Sequence, residues 1–171
     1  MSTPGTPSQT VGPYLSIGLT WDEGPQVVPA DAPGAVWLRG EIRDGAGAAI
    51  PDALVETWQP DPSGRFHAAG FRGLGRCPTD DDGRYAIRTV KPGVIEDQAP
   101  HINVTVLARG LLHRVMTRIY FADEPAANEA DPVLARVPAE RRGTLIAEKS
   151  SDGYRFDVTL QGPDETVFFT I

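Results

Sequence analysis

The chain has 171 residues and a formal net charge of −7. That length suits one domain, and about 70% of the unfolded surface can be buried at this size, so a core can form without staples. The negative balance argues against nucleic acid as the main partner, because phosphate binding needs a basic face. It leaves room for a small anionic substrate, since one buried arginine can govern a local site whatever the global charge. Cys77 is the one cysteine, so no internal disulfide can form. No window approaches the ~18 apolar residues of a membrane span. Met1-Ser2-Thr3-Pro4-Gly5 has no basic start and no apolar run, so no signal peptide is expected, and the expected setting is the reducing cytoplasm.

Residues 1–35 carry many prolines and glycines and little periodicity, and read as an arm lying over a surface or as a partly disordered lead-in. Beyond them, glycine and proline punctuate short apolar runs, the pattern of an all-β domain over 36–171. Val36 to Arg43 alternates and stops at Asp44-Gly45, a turn signal. Ala53 to Trp58 is the next predicted strand. Asp82-Gly83 turns into Arg84 to Val90, and Lys91-Pro92-Gly93 turns again. Ile102 to Leu107 is rich in β-branched residues, and Val115 to Phe121 follows. Late strands are expected over Tyr154–Leu160 and Thr166–Phe169. Helix is scarce: Glu124–Asn128, Pro132–Arg136 and Ala139–Arg142 can each form a turn or two.

The chemistry begins at Pro100-His101-Ile102-Asn103. In a strand, residues i and i+2 share a face, so His-x-His at this spacing would grip one metal with two imidazoles. Here the second place is Asn103, a poor transition-metal ligand beside imidazole, thiolate or carboxylate. The other histidines, His67 and His113, and the lone Cys77 add no His-x-x-x-His or Cys-x-x-Cys. The bland reading of His101 is a strand histidine held by hydrogen bonds. Asp80-Asp81-Asp82-Gly83 lacks the longer acidic series and terminal Glu of a calcium loop and reads as a hairpin turn. No Gly-x-Ser-x-Gly elbow and no phosphate-binding loop occurs. Arg109 stands at the end of a predicted strand, where sites tend to be built, against the alternative of a solvated surface arginine. Gln9-Thr10-Val11-Gly12-Pro13-Tyr14 can be an ordinary turn.

Several short motifs occur in order. They are Pro7–Tyr14, Val55-Glu56-Thr57-Trp58-Gln59, Gly73-Leu74-Gly75-Arg76 and Thr79-Asp80. Then come Thr89–Gly93, Ala99-Pro100-His101-Ile102, Arg118-Ile119-Tyr120-Phe121 and Tyr154–Asp157. Each alone is weak. As an ordered set the chain resembles the intradiol ring-cleaving dioxygenases over nearly its whole length.

The resemblance implies a β-sandwich core of mixed and antiparallel strands with short helices and an extended N-terminal arm. It also implies chemistry. Metal-binding chains of the family hold ferric iron with two tyrosines and two histidines, because a hard cation favours anionic oxygen. Here the matching places read Phe66, Ile95, His101 and Asn103, so three of four ligands are lost and His101 is retained. Two further places differ: catalytic chains carry Arg three residues before the first ligand histidine, where this chain has Gln98, and Gln where it has Arg118. The implied role is that of an alpha subunit that binds no metal and has no catalytic residues acting alone. A homologous beta chain would hold Fe(III) in αβ protomers and cleave a small aromatic acid with O2 between its hydroxylated carbons. Carried over by position, this chain's contribution to the pocket is Thr10, Gly12, Pro13, Tyr14 and Arg109. A stand-alone β-sandwich binding module without catalysis is the competing reading.

Overall fold

The computed structural model describes residues 5–170. Of the signal-peptide reading, Met1–Pro4 lie outside them. A short helix α1 (Tyr14–Gly18) precedes nine strands: β1 (Ala35–Arg43), β2 (Ala53–Trp58), β3 (Leu74–Pro78), β4 (Arg84–Val90), β5 (His101–Ala108), β6 (Val115–Phe121), β7 (Ile146–Ser150), β8 (Gly153–Arg155) and β9 (Val158–Thr159). Between β6 and β7 lie α2 (Pro125–Ala130) and two 3-10 turns, Leu134–Arg136 and Ala139–Leu145. The strand order is β3-β2-β5-β6-β7-β8-β1-β4, with β9 also on β1. The all-β class expected from the sequence is thus observed, as a sheet that folds over on itself.

Alternation explains the layering. On β5, Ile102, Val104 and Val106 point into the main core, while Asn103, Thr105 and Leu107 lie half-buried on the outer face. From the opposite layer Leu38, Ile42, Ile87, Phe156 and Val158 meet them. Burying each such aliphatic side chain contributes about 1.5–3 kcal/mol relative to exposure. A second, smaller cluster forms outside the sheet, where Ala99, Leu134, Val137 and Leu145 cover Tyr120. The 125–145 segment therefore roofs the start of β5.

The two ends of the strand path meet at a seam. Gly24–Val27 stitches it: Arg76 N–H donates to Gly24 O at 2.8 Å, and Val27 N–H donates to Arg88 O at 2.9 Å. Arg76 is on β3 and Arg88 on β4, so one stretch of the N-terminal segment bonds both edge strands, which limits their use by another chain. Val27 and Val28 are in the main core. By contrast, residues 5–10 are exposed.

Four local expectations need correction. Asp80–Arg84 is a tight turn, with Asp80 Oδ1 accepting from the N–H groups of Asp82 and Arg84, but it is not a hairpin. Its flanking strands go to different partners, β3 to β2 and β4 to β1. The predicted strand Tyr154–Leu160 is split into β8 and β9. Asp157 turns its carboxylate to the Glu41 N–H at 3.0 Å, and the ladder is interrupted there. Thr166–Phe169 is irregular rather than a strand. Single bonds hold it, including Phe169 N–H to Met116 O at 2.8 Å, while Phe168 and Phe169 pack on different clusters. Strands β3 and β7 were not anticipated, because Gly75, Pro78 and the charged Glu148-Lys149 hide their alternation.

Candidate functional site

Two places on the molecule carry the residues singled out by sequence, and they lie at opposite ends of β5. The strand runs from His101 to Ala108, so at about 3.3 Å per residue His101 and Arg109 are separated by roughly 25 Å.

The first place is the arm cleft. Gly12, Pro13, Leu15 and Ser16 face Pro51, Asp52, Ala53, Pro78, Thr79 and Arg109 across a cavity of about 300 Å³. Leu15, buried in α1, pins the arm there, while Thr10, Pro13 and Tyr14 stay exposed. Gly12 has φ +58°, a conformation that side-chain-bearing residues adopt at a cost. The structure therefore brings Gly12 and Pro13 together with Arg109. Thr10 lies further out along the arm, whose Gln9 and Val11 approach Leu111 to Arg114. Tyr14 lays its ring against Gly18. The partner of Arg109 was not anticipated: its Nε lies 2.6 Å from Asp52 Oδ2. Strand register is the signal that could have found it, since Ala53 opposes Ala108 and the next pair outward is Asp52 with Arg109.

The second place holds Phe66, Ile95, His101 and Asn103, the positions that the resemblance matches to metal ligands. Cross-strand pairing sets His101 opposite Tyr120 and Asn103 opposite Arg118. Asn103 is also paired with Trp58, on whose ring Phe66 stacks at 5.8 Å. The loop bearing Phe66 is tied to the loop bearing Ile95, because Gly93 N–H donates to Asp61 O at 3.0 Å and a Cβ on Gly64 would collide with the Val94 carbonyl. Ile95 in turn bonds Gln98, whose N–H reaches the Ile95 carbonyl at 2.8 Å. A chain of contacts thus links the four positions that the resemblance matches to metal ligands. His67 and Glu96, directly after Phe66 and Ile95, hold φ +55° and +53°. Such strain persists where surrounding structure enforces it.

His101 is buried, and Nδ1 lies 2.8 Å from Ala99 O. Nδ1–H donates to that carbonyl, which leaves Nε2 as the ring's acceptor. Burial holds the imidazole below its usual range, and the charge of Arg118 pushes the same way against the Ala99 contact. Burial likewise pushes the Tyr120 hydroxyl up to about 12. That hydroxyl donates to Asp131 Oδ1 at 3.1 Å. Asp131 is fully buried and also accepts from the N–H groups of Ala99, Val133 and Leu134. It was not anticipated, although Asp-Pro ahead of a predicted turn is a capping signal.

Gln98 and Arg118, two departures that read as independent in the sequence, are one hydrogen-bonded pair, with Arg118 Nη1 2.7 Å from Gln98 Oε1. Ferric iron does not fit here. Phe66 and Ile95 offer no donor and Asn103 offers only an amide, which leaves His101 as the strong donor of the four. Among the described residues no group of three or more His, Cys, Asp or Glu could hold a metal ion.

Comparison with known proteins places this geometry. The family described as Dioxygenase matches residues 12–162. The chain belongs to the intradiol ring-cleaving dioxygenase family. Protocatechuate 3,4-dioxygenase alpha chain from Burkholderia cepacia is 47% identical, over 97% of each chain. Protocatechuate 3,4-dioxygenase beta chain from the same organism is 32% identical, over 75% of this chain and 65% of that one. Among solved structures, the dioxygenase domain of a dioxygenase carbohydrate-binding protein fusion from Streptomyces sp. SirexAA-E superposes with a TM-score of 0.67 at 26% identity, covering 93% of this chain and 99% of that one. This intradiol dioxygenase chain therefore keeps the family's fold. Among the described residues, no helix is long and apolar enough to cross a membrane.

Proposed function

We propose that this chain is the non-metal alpha subunit of a protocatechuate 3,4-dioxygenase. It pairs with a homologous beta chain into αβ protomers and completes the beta chain's substrate pocket. One observation carries this reading: the arm cleft and the chain's own relic centre sit at opposite ends of β5, so Gly12, Pro13 and Arg109 cannot serve the latter and are free to serve a neighbour's. Matches to both alpha and beta chains of the enzyme support the pairing.

Each pocket residue has a distinct task. Gly12 offers bare backbone, allowing close approach, and Pro13 stiffens it. Arg109 supplies positive charge at the mouth, set in position by Asp52. Thr10 offers a hydroxyl, and Tyr14 an exposed aromatic face. The substrate is a small aromatic acid, protocatechuate, whose carboxylate suits a guanidinium. The beta chain's ferric ion supplies the oxygen chemistry, which opens the ring between its two hydroxylated carbons and yields 3-carboxy-cis,cis-muconate, a step of aromatic catabolism in the cytoplasm. The segment from Thr10 to Tyr14 reaches into the beta chain's cleft, while Val27 and Val28 fix its base in this chain's own core.

The test is co-expression with and without a beta chain bearing both tyrosines and His-x-His. With it, the chain co-purifies in a hetero-oligomer that contains iron and consumes O2 on addition of protocatechuate. A chain that stays an iron-free monomer in the presence of that partner would overturn the reading in favour of a stand-alone binding module. Iron bound to this chain alone would overturn the assignment of Phe66, Ile95 and Asn103 as lost ligands.

A further inference from the structure

We infer that the cavity beside Trp37 and Arg88 is a binding site for a small carboxylate with an apolar body, such as an aromatic acid. It lies on the outer face of β1 and β4 and draws on neither the arm cleft nor the positions matched to metal ligands.

Strand register builds the site. Trp37 on β1 is paired directly with Arg88 on β4. Each adjoins a core residue on its strand, Leu38 and Ile87, and so stands half-buried on the outer face. The Arg88 guanidinium carbon lies 4.5 Å from the Trp37 ring centroid, a cation–π contact that holds the side chain in place. The cavity there has a volume of about 460 Å³, a size that takes a small ligand. Ala30, Ala35 and Val36 give it an apolar wall, and Trp37 an aromatic one.

The walls are fixed before any ligand arrives. The β7–β8 turn brings Asp152 to the cavity. Trp37 N–H donates to Asp152 O at 3.0 Å, and Arg39 Nη1 bonds both carboxylate oxygens of Asp152, at 2.7 and 2.8 Å. A Cβ on Gly153 would collide with the Trp37 carbonyl, so this close seating of β8 on β1 needs glycine. The backbone of Arg88 is held as well: its N–H donates to Pro25 O at 2.8 Å, and its carbonyl accepts from Val27 N–H at 2.9 Å. A site ordered in advance spends less of its binding energy on ordering.

Charge selects the ligand. Asp152 is neutralised by Arg39, and Lys149, which also lines the cavity, places its ammonium 3.3 Å from Asp123. Among the described residues no carboxylate pairs with Arg88, whose side-chain contact is the Trp37 ring. The parallel N–H groups of a guanidinium match a carboxylate in two-point contact, and partial burial strengthens that attraction over its value in water. Inorganic phosphate fits the same fork but leaves the apolar wall uncovered. A carboxylate with an apolar body uses both.

The test titrates benzoate into the full chain and reads heat and tryptophan fluorescence, with acetate and inorganic phosphate as comparison anions. Benzoate is expected to bind at least tenfold more tightly than either, and its fluorescence change to vanish in Trp37→Phe. Arg88→Gln is expected to weaken benzoate binding at least tenfold, with thermal unfolding read alongside. Ala30→Phe fills the cavity from an exposed position and is expected to do the same, which keeps the test decisive should Arg88→Gln not fold. Folded wild-type protein that fails to bind benzoate, or folded variants that bind it as tightly as wild type, would overturn the inference. Phosphate binding as tight as that of benzoate would overturn the assignment to a carboxylate with an apolar body. The titration is repeated on the chain assembled with a beta chain. Arg88-dependent binding that persists there supports the site, and its loss on assembly would give this face to subunit contact and overturn the inference.

Discussion

Asp52 and Arg109 form the pair just beyond the end of the β2–β5 ladder, with Arg109 Nε 2.6 Å from Asp52 Oδ2 and Arg109 N–H donating to Asp52 O at 3.3 Å. The arginine side chain is 71% exposed, so the ion pair contributes well under 1 kcal/mol to stability. Its value is positional. Arg109→Ala in the assembled complex should leave unfolding almost unchanged and lower kcat/KM by about tenfold or more, since one charge-assisted hydrogen bond is worth about 1.5–3 kcal/mol. Asp52→Asn should cost less, because the charge remains and only its anchor weakens. An Arg109→Ala complex that matches wild type in steady-state kinetics would remove Arg109 from the pocket.

Asp131 is the polar keystone beneath the roof of β5. Its carboxylate accepts from the backbone N–H groups of Ala99, Val133 and Leu134 and from the Tyr120 hydroxyl. Asp131→Ala strands several buried donors, each costing about 1–3 kcal/mol when unsatisfied. A loss of about 3 kcal/mol or more is expected in urea unfolding. Asp131→Asn should lose less, because one carbonyl acceptor survives. A loss below 1 kcal/mol for the alanine variant would mean that water replaces the carboxylate freely.

Acid should weaken the fold through Asp123. Burial raises its carboxyl, but bonds from Lys91, Tyr154 and Lys149 outweigh that and hold it below its ordinary 3.8. The three contacts measure 3.0, 3.0 and 3.3 Å. A folded-state value below the unfolded one means that the unfolded chain binds protons first as pH falls. The stabilisation is therefore complete above 3.8 and is lost as pH drops through the lower folded value. Asp123→Asn should flatten this acid limb of stability against pH while lowering stability at neutral pH. An unchanged limb would place the acid sensitivity elsewhere.

Glu96 keeps a left-handed backbone, φ +53°, next to Ile95. The left-handed region costs a non-glycine residue about 1–2 kcal/mol. Glu96→Gly relieves that cost and adds some unfolded-state entropy. A net gain of about 0.5–1 kcal/mol is expected in chemical unfolding, with turnover of the complex unchanged. A loss of stability would show that the Glu96 side chain is engaged in the assembly or the fold.

What the sequence determined by itself were properties that reside in residue identity and local period. The alternation of Ile102, Val104 and Val106 specifies a strand with one buried face, and the cores of β1, β2, β4, β5 and β6 were legible for that reason. The absence of a phenol at Phe66 and Ile95 and of an imidazole at Asn103 is a matter of chemistry, readable without coordinates. Tertiary structure alone decided what depends on residues far apart in the chain. Gly24–Val27 closes the seam between β3 and β4 because the sheet's two edges happen to meet there. The strand after Tyr154 is interrupted where Asp157 turns its carboxylate to the Glu41 N–H on a neighbouring strand. Gln98 and Arg118 become one pair, and Arg109 gains Asp52, only through register between strands, which local periodicity does not encode. The separation of the arm cleft from His101 is of the same kind: one eight-residue strand, extended by its own backbone geometry, holds the two apart.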